Sequence, residues 1–288
     1  MPEQAQSVEQ AQRVEQALWL KKCWAEKYEN KPGYQITKIA TDAVKPREEG
    51  KIRIVCISDT HSSVENVEPP FNVPDGDILI HAGDFTDYGE VQKVKEFNQW
   101  LGTLPHKHKI VVAGNHDTSF DPSVVAPGKR FWEKLQHPEL HEVKPLMTNC
   151  IYLEDSHVTI EGYKIYGTPW QPLFGRGDRA FQILHSDVEK WEEVCSKIPS
   201  DTDILVSHSP PLGIQDGNGE GRKCGSEVLL RHVVERVKPK YHIFGHIHES
   251  YGIATNGKTT FANAASCTHG IPRVAENPPI IFDLDMLS

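Results

Sequence analysis

An α/β fold is predicted by two features of the sequence, and a third locates its working edge. Short runs rich in Ile and Val recur, each bounded by charge, Gly or Pro, which is the texture of buried strands. Segments with helical spacing lie between several of them. Five of the runs also end in a carboxylate, imidazole or carboxamide. In open α/β sheets the carboxyl ends of the strands are where ligands bind.

Taken in order, residues 1–49 read as an N-terminal helical extension and 50–288 as one domain, since no linker-like stretch interrupts the latter. Near "EQAQSVEQAQRVEQA", Ala11, Val14, Leu18 and Trp19 keep helical spacing, and "NKPGYQ" ends the segment. A helix packed against the main body is expected there. The strand-like runs are "IRIVCIS", "DILIHAG", "KIVVAG", "DILVS" and "YHIFG". Helices are expected over 89–103, 178–197 and 225–237. "HVTIEGYKIYG" has the texture of a hairpin turning at Gly162, and "KTTFANA" and "PPIIFDL" resemble further strands.

Composition excludes some partners. Net charge is −9, with Lys and Arg scattered, so sequence-independent binding to duplex nucleic acid or to an anionic membrane is not expected. A small phosphate ester remains compatible, because a local cation outweighs a distant negative surface. The six cysteines form no C-x-x-C pair and read as free thiols of an intracellular protein. The N-terminus lacks the signature of a secretory signal, and no apolar run reaches membrane-spanning length. A cytoplasmic protein is expected.

The polar residues after each run carry the chemistry. "IRIVCIS" leads to Asp59 and His61, "DILIHAG" to Asp84, "KIVVAG" to Asn115, His116 and Asp117, "DILVS" to His208, and "YHIFG" to His246 and His248. Each alone has an ordinary reading: Asp59 caps a turn, Asn115 adopts a left-handed conformation, His208 is a satisfied polar residue. Five coincidences at one sheet edge favour a polynuclear metal site instead. Gly83, Gly114 and Gly245 permit close backbone approach there. In extended backbone His246 and His248, two positions apart, point to the same side. With Asp84 bridging, the seven side chains Asp59, His61, Asp84, Asn115, His208, His246 and His248 give each of two ions four protein ligands. Two ions about 3.5–4 Å apart form the clamp used to hydrolyse phosphate esters. The mixture of nitrogen and oxygen donors without thiolate suits Mn²⁺ foremost, with Fe or Zn²⁺ as alternatives, over Ca²⁺.

"DTH", "GDFTD", "GNHD", the lone His208 and "GHIH" resemble, in order, the signature of the calcineurin-like metallophosphoesterases: D-x-H, G-D-x-x-D/E, G-N-H-D/E, H and G-H-x-H. The wording around them is similar to the animal metallophosphoesterase-domain-containing group. The resemblance implies a double β-sandwich flanked by helices (α/β/β/α). It implies that Asp59, His61, Asp84 and His248 hold one ion, and Asp84, Asn115, His208 and His246 the other. Some members of that group have glycine where His246 stands, so a complete site is expected here. A bridging hydroxide would attack phosphorus, His116 would protonate the leaving oxygen as general acid, and Asp87 would orient His116. The expected activity is hydrolysis of small phosphodiesters, with cyclic nucleotides as candidates. A phosphomonoesterase or protein phosphatase, and a weakly active nucleotide-binding scaffold, are the alternatives. Trp170 and Phe174 in "TPWQPLFG" offer faces for stacking a nucleobase or for core packing. His81 and His242, inside strands, are expected to be structural.

Overall fold

Alternation along the strands decides the architecture. In β2 (Lys51–Ile57) the side chains of Ile52, Ile54 and Cys56 enter one apolar cluster and those of Val55 and Ile57 another. Successive side chains of a strand point to opposite faces, so such a run needs cover on both sides. A strand of this kind belongs inside a layered sandwich.

The computed structural model describes residues 16, 18–40, 46–64, 71–125, 143–173, 179–270 and 273–286. One sheet has five strands in the order β14 (Ile280–Asp285), β2, β3 (Ile78–His81), β4 (His108–Val111) and β5 (Ile151–Tyr152). β2 through β5 are parallel and β14 is antiparallel to β2. The other sheet has seven: β1 (Thr37–Ile39), β12 (Gly252–Thr255), β13 (Thr260–Asn263), β11 (Tyr241–Phe244), β10 (Ile204–Ser207), β7 (Tyr163–Thr168) and β6 (Ser156–Ile160). Its centre, β13-β11-β10-β7, is parallel, while its margins are antiparallel. A small parallel pair, β8 (Gln171–Pro172) and β9 (Gln182–Ile183), stands apart.

Three apolar layers hold these pieces. Ile54, Ile80 and Ile110 of the first sheet meet Ile165, Val206, Ile243 and Ala262 of the second in the cluster between the sheets. Burial of one such Ile side chain contributes roughly 1.5–3 kcal/mol. On the outer face of the five-stranded sheet, Val55, Leu79 and Val111 pack against Val94, Phe97 and Leu101 of α2 (Val91–Thr103). On the outer face of the seven-stranded sheet, Tyr166, Leu205, Phe244 and Phe261 pack against α1 (18–27), α3 (Val188–Ser196) and α4 (Glu227–Arg231). The result is the expected double β-sandwich flanked by helices. Among the described residues no helix is long and apolar enough to cross a membrane.

The structure also departs from the sequence reading. The expected apolar stripe of the first helix points elsewhere: Leu18 and Trp19 are exposed, whereas Leu20, Cys23 and Trp24 pack on the seven-stranded sheet. Ala11 and Val14 lie outside the described residues. Residues 18–39 share a core cluster and an edge strand with the main body, so helix and β1 are built into the sandwich. Within the stretch expected to be helical over 178–197, β9 comes first and the helix begins at Val188, where Asp187 caps it. The hairpin turns as expected, with Glu161 and Gly162 both at positive φ.

Candidate metal centre

The parallel strands of both sheets deliver their carboxyl ends to one edge. Ser58, just beyond β2, bridges to Ala265, just beyond β13, so the two sheets meet there. The turns are tight. Asp59, His61, Asp84 and His246 all have positive φ, between 45° and 68°. Such backbone costs about 1–3 kcal/mol per residue and persists only where the surroundings impose it. Two glycines make the crowding legible: a Cβ on Gly114 would strike Asp84 Oδ1, and one on Gly245 would strike Asp59 Oδ2. No other residue fits at either position.

Seven candidate ligands converge. His248 Nε2 lies 3.2 Å from Asp59 Oδ1 and 3.3 Å from His61 Nε2. His61 Nε2 is 3.8 Å from Asp84 Oδ2. On the other side of Asp84, its Oδ1 lies 3.4 Å from His208 Nε2, which is 3.1 Å from Asn115 Oδ1. His246 offers a ring nitrogen to this second group, and its ring centroid is 5.0 Å from that of His208. Asp59, His61 and His248 thus form one trio, and Asp84, His208 and His246 another. His246 and His248 are not on one strand face as their spacing suggested: β11 ends at Phe244, His246 is left-handed and His248 opens a 3₁₀ turn. The break in the strand sends the two rings to different trios.

The chemistry of this donor set fits two cations. His208 Nδ1 faces the Ala82 carbonyl at 2.9 Å, and its Nε2 faces Asn115 and Asp84 oxygens. His248 Nδ1 faces the Thr268 carbonyl and its Nε2 the Asp59 carboxylate. With an oxygen acceptor at each nitrogen, both rings are biased toward the protonated form in the metal-free chain. Burial works against this, but Asp84 carries His208 up to about 9. Burial likewise opposes the rise of His248, which the bond to Asp59 secures. Burial raises Asp59 and Asp84 too, yet the bond to His248 and the charge of His208, respectively, carry both below the usual carboxylate range. Burial pushes His246 down to about 3, and His61 well below its ordinary value. The Nε2 atoms of both rings therefore stand among ligand atoms at points where a cation would compete with a proton.

His116 stands beside these two trios, its ring centroid 4.6 Å from that of His61, and with His61 and Asp87 it forms a third group of ligand atoms close enough to share an ion. Its main-chain N–H donates to Asp84 Oδ1 at 2.7 Å, and its Nδ1 faces the main-chain carbonyl of Asp87 at 2.7 Å. The ring is thus oriented by the backbone of Asp87, whereas the resemblance assigned that task to Asp87 without specifying the atom. The Asp87 carboxylate is paired with Arg273 and lies 3.6 Å from His61 Nδ1, a buried atom that otherwise lacks a hydrogen-bond partner. Burial pushes His116 down to about 4, with Asp84 opposing and Arg179 and Arg273 reinforcing.

Two contributors were missed from the sequence, and a third, Asp117, was noted there without a role. Asp117, the last letter of "GNHD", accepts hydrogen bonds from the backbone of Asp84, Thr86 and Gly114 and from the Thr86 hydroxyl. It ties the loops after β3 and β4 together, and its place in the motif was the available signal. Arg179 donates to the Asp87 carbonyl, and Arg273 reaches the same loop from near the C-terminus. Neither carried a sequence signal. Trp170 is committed to the protein: its indole N–H donates to Asp155 and its ring meets Phe181 edge-on. Phe174 lies outside the described residues. His81 and His242 are buried, each with a hydroxyl on Nε2, from Thr60 and Ser207 respectively.

The calcineurin-like phosphoesterase family model matches residues 52–250. Metallophosphoesterase domain-containing protein 1 of Homo sapiens is 45% identical over 251 residues, covering 84% of this chain and 73% of that protein, and the same values hold for its Mus musculus counterpart. A UPF0046 protein of Caenorhabditis elegans is 44% identical over 245 residues, covering 83% of each chain. A solved crystal structure shares the fold alone, with a TM-score of 0.50, 15% identity, and coverage of 74% of this chain and 90% of that one.

Proposed function

The chain belongs to the calcineurin-like phosphoesterase family, whose members use divalent metals, and on that premise we propose that it is a dinuclear metal-dependent phosphodiesterase acting on small phosphodiesters, with cyclic nucleotides as candidate substrates. Asp59, His61, Asp84 and His248 would hold one ion, and Asp84, Asn115, His208 and His246 the second, with Mn²⁺ suited to the donors. When bound, two divalent ions supply positive charge and Lewis acidity toward the phosphoryl group.

The observation that carries the reading is His116. It lies outside both ligand sets, its Nδ1 proton is engaged by Asp87 O, and its Nε2, which faces Arg273 Nη2 at 3.4 Å, is the nitrogen that would exchange a proton. Water adds to phosphorus as the ester P–O bond breaks. The departing oxygen keeps the bonding pair and takes the Nε2 proton, and the proton given up by water restores the ring. Burial keeps the ring neutral in the resting chain; an anionic ester beside it favours the charged form and so arms the acid. A diester needs this proton because its leaving oxygen would otherwise depart as an alkoxide. We include a cytoplasmic location in the reading, supported by six free cysteines, and no membrane or duplex nucleic-acid partner, supported by the charge of −9.

Turnover of bis-p-nitrophenyl phosphate should exceed that of p-nitrophenyl phosphate in Mn²⁺-loaded protein, and both should vanish on chelation. Faster turnover of the monoester would favour the phosphomonoesterase or protein phosphatase alternative.

A further inference from the structure

Arg273 occupies the atom on which the proposed acid depends. Its Nη2 lies 3.4 Å from His116 Nε2, while its Nη1 is bonded to the Asp87 carboxylate. In the resting chain this is a sound arrangement: the ring is neutral, Nδ1–H donates to the Asp87 carbonyl, and the guanidinium donates to the lone pair on Nε2. The guanidinium cannot lose its proton. The two nitrogens aim into one gap, so an acceptor oxygen placed there would be met by the guanidinium from one side and by the His116 ring from the other.

We propose that Arg273 and His116 bracket the leaving oxygen of the substrate, Arg273 Nη2 and His116 Nε2 each donating to it. This rests on the phosphodiesterase reading above. The oxygen that receives the proton is also where negative charge develops as the P–O bond lengthens, so a donor aimed there acts mainly in the transition state. The anchoring suits the task. Asp87 holds one arm of the guanidinium fork and leaves the other to meet the substrate, and the side chain is 30% exposed, so a ligand can reach it. Asp87 becomes a positioning residue for both partners: its carbonyl aims His116 and its carboxylate aims Arg273. Arg273 also lies beyond residue 250, where the family match ends, on a segment that returns to the site from the C-terminal side.

Arg273→Ala should keep its metal content and lose about 10²–10³-fold in kcat, the range for removal of one such donor. The loss should be larger for a diester with an alkyl leaving group than for bis-p-nitrophenyl phosphate, and added guanidinium ion should restore part of it. Arg273→Lys should stay impaired, because an ammonium cannot hold Asp87 and the oxygen as a fork does. Equilibrium binding of inorganic phosphate to the Mn²⁺-loaded protein, followed by calorimetry, should weaken about tenfold or more in Arg273→Ala. A loss equal for all leaving groups and not rescued by guanidinium assigns Arg273 to propping Asp87 and overturns the bracket. Unchanged or faster turnover overturns it too, with the phosphodiesterase reading intact. If the wild-type protein cleaves no diester, that reading fails; the phosphate titration then decides alone, and equal affinity in variant and wild type overturns the role of Arg273.

Discussion

His208 and His248 face acceptors that favour their protonated forms at the points where cations would sit, and this has a measurable consequence. Each ring has an oxygen acceptor on both nitrogens, and His208 is raised to about 9. A metal ion must therefore displace protons, and its affinity should rise as pH increases from 6 toward 9. Titration of metal-free protein with Mn²⁺ in weak buffer near neutrality should release protons. Metal uptake without proton release would show that the rings were neutral beforehand. His116 makes a separate prediction. His116→Ala should retain both metals and lose about 10²–10⁴-fold in rate, less with p-nitrophenolate as leaving group because that anion hardly needs protonation. Steady-state rates on two diesters, with metal analysis of the variant, are the check.

At the scale of elements, β14 closes the five-stranded sheet by pairing with β2, and one ion pair spans that seam. Arg53 and Asp283 are direct cross-strand partners, joined by two bonds of 2.8 Å and 2.7 Å, with side chains 6% and 11% exposed. Asp283→Asn should destabilise the fold by about 3 kcal/mol in denaturant unfolding, the lower end of the range for breaking a buried pair. The bond to Arg53 outweighs burial and holds the Asp283 carboxyl below the ordinary range. Its contribution is thus present above the unfolded value and is lost as pH falls through the lower folded one. Wild type and variant should converge in stability once the pH has fallen below the ordinary carboxylate range and through that lowered folded value. A difference that persists undiminished in acid would locate the effect in packing. The same seam matters to the site, since β2 ends one residue short of Ser58 and two short of Asp59.

Over the whole molecule, the site is a joint between two sheets. Asp59, His61, Asp84 and Asn115 follow strands of the five-stranded sheet, and His208, His246 and His248 follow strands of the seven-stranded one. A metal bound by residues from both sheets binds the folded chain far better than the unfolded one. Free Mn²⁺ at 100 times its dissociation constant should stabilise by about 2.7 kcal/mol per site. For a chain of this size that raises Tm by roughly 5–10 °C. Differential scanning calorimetry with Mn²⁺ and with chelator tests this, and coincident transitions would show that the candidate ligands hold no metal in the native fold.

The strands, their two-faced burial and the polar residues after them were legible in the sequence because each is a local pattern. "IRIVCIS" predicts β2 and its neighbours Asp59 and His61 from spacing alone. Shorter pieces left no such trace: β5, β8 and β9 have two residues each, too few to show a period, and are specified by the strands beside them. The phase of the first helix also escaped, since Leu18 and Leu20 are equally apolar and only the shape of the sheet beneath selects Leu20. The same limit applies at the site. Which histidine joins which trio depends on the backbone break after Phe244, and whether a carbonyl or a carboxylate of Asp87 faces His116 depends on where Arg273 returns. Residue types and their order along the chain determined the inventory of donors; contacts between residues far apart in sequence decided their protonation and partners, because those depend on distances only the closed sandwich sets.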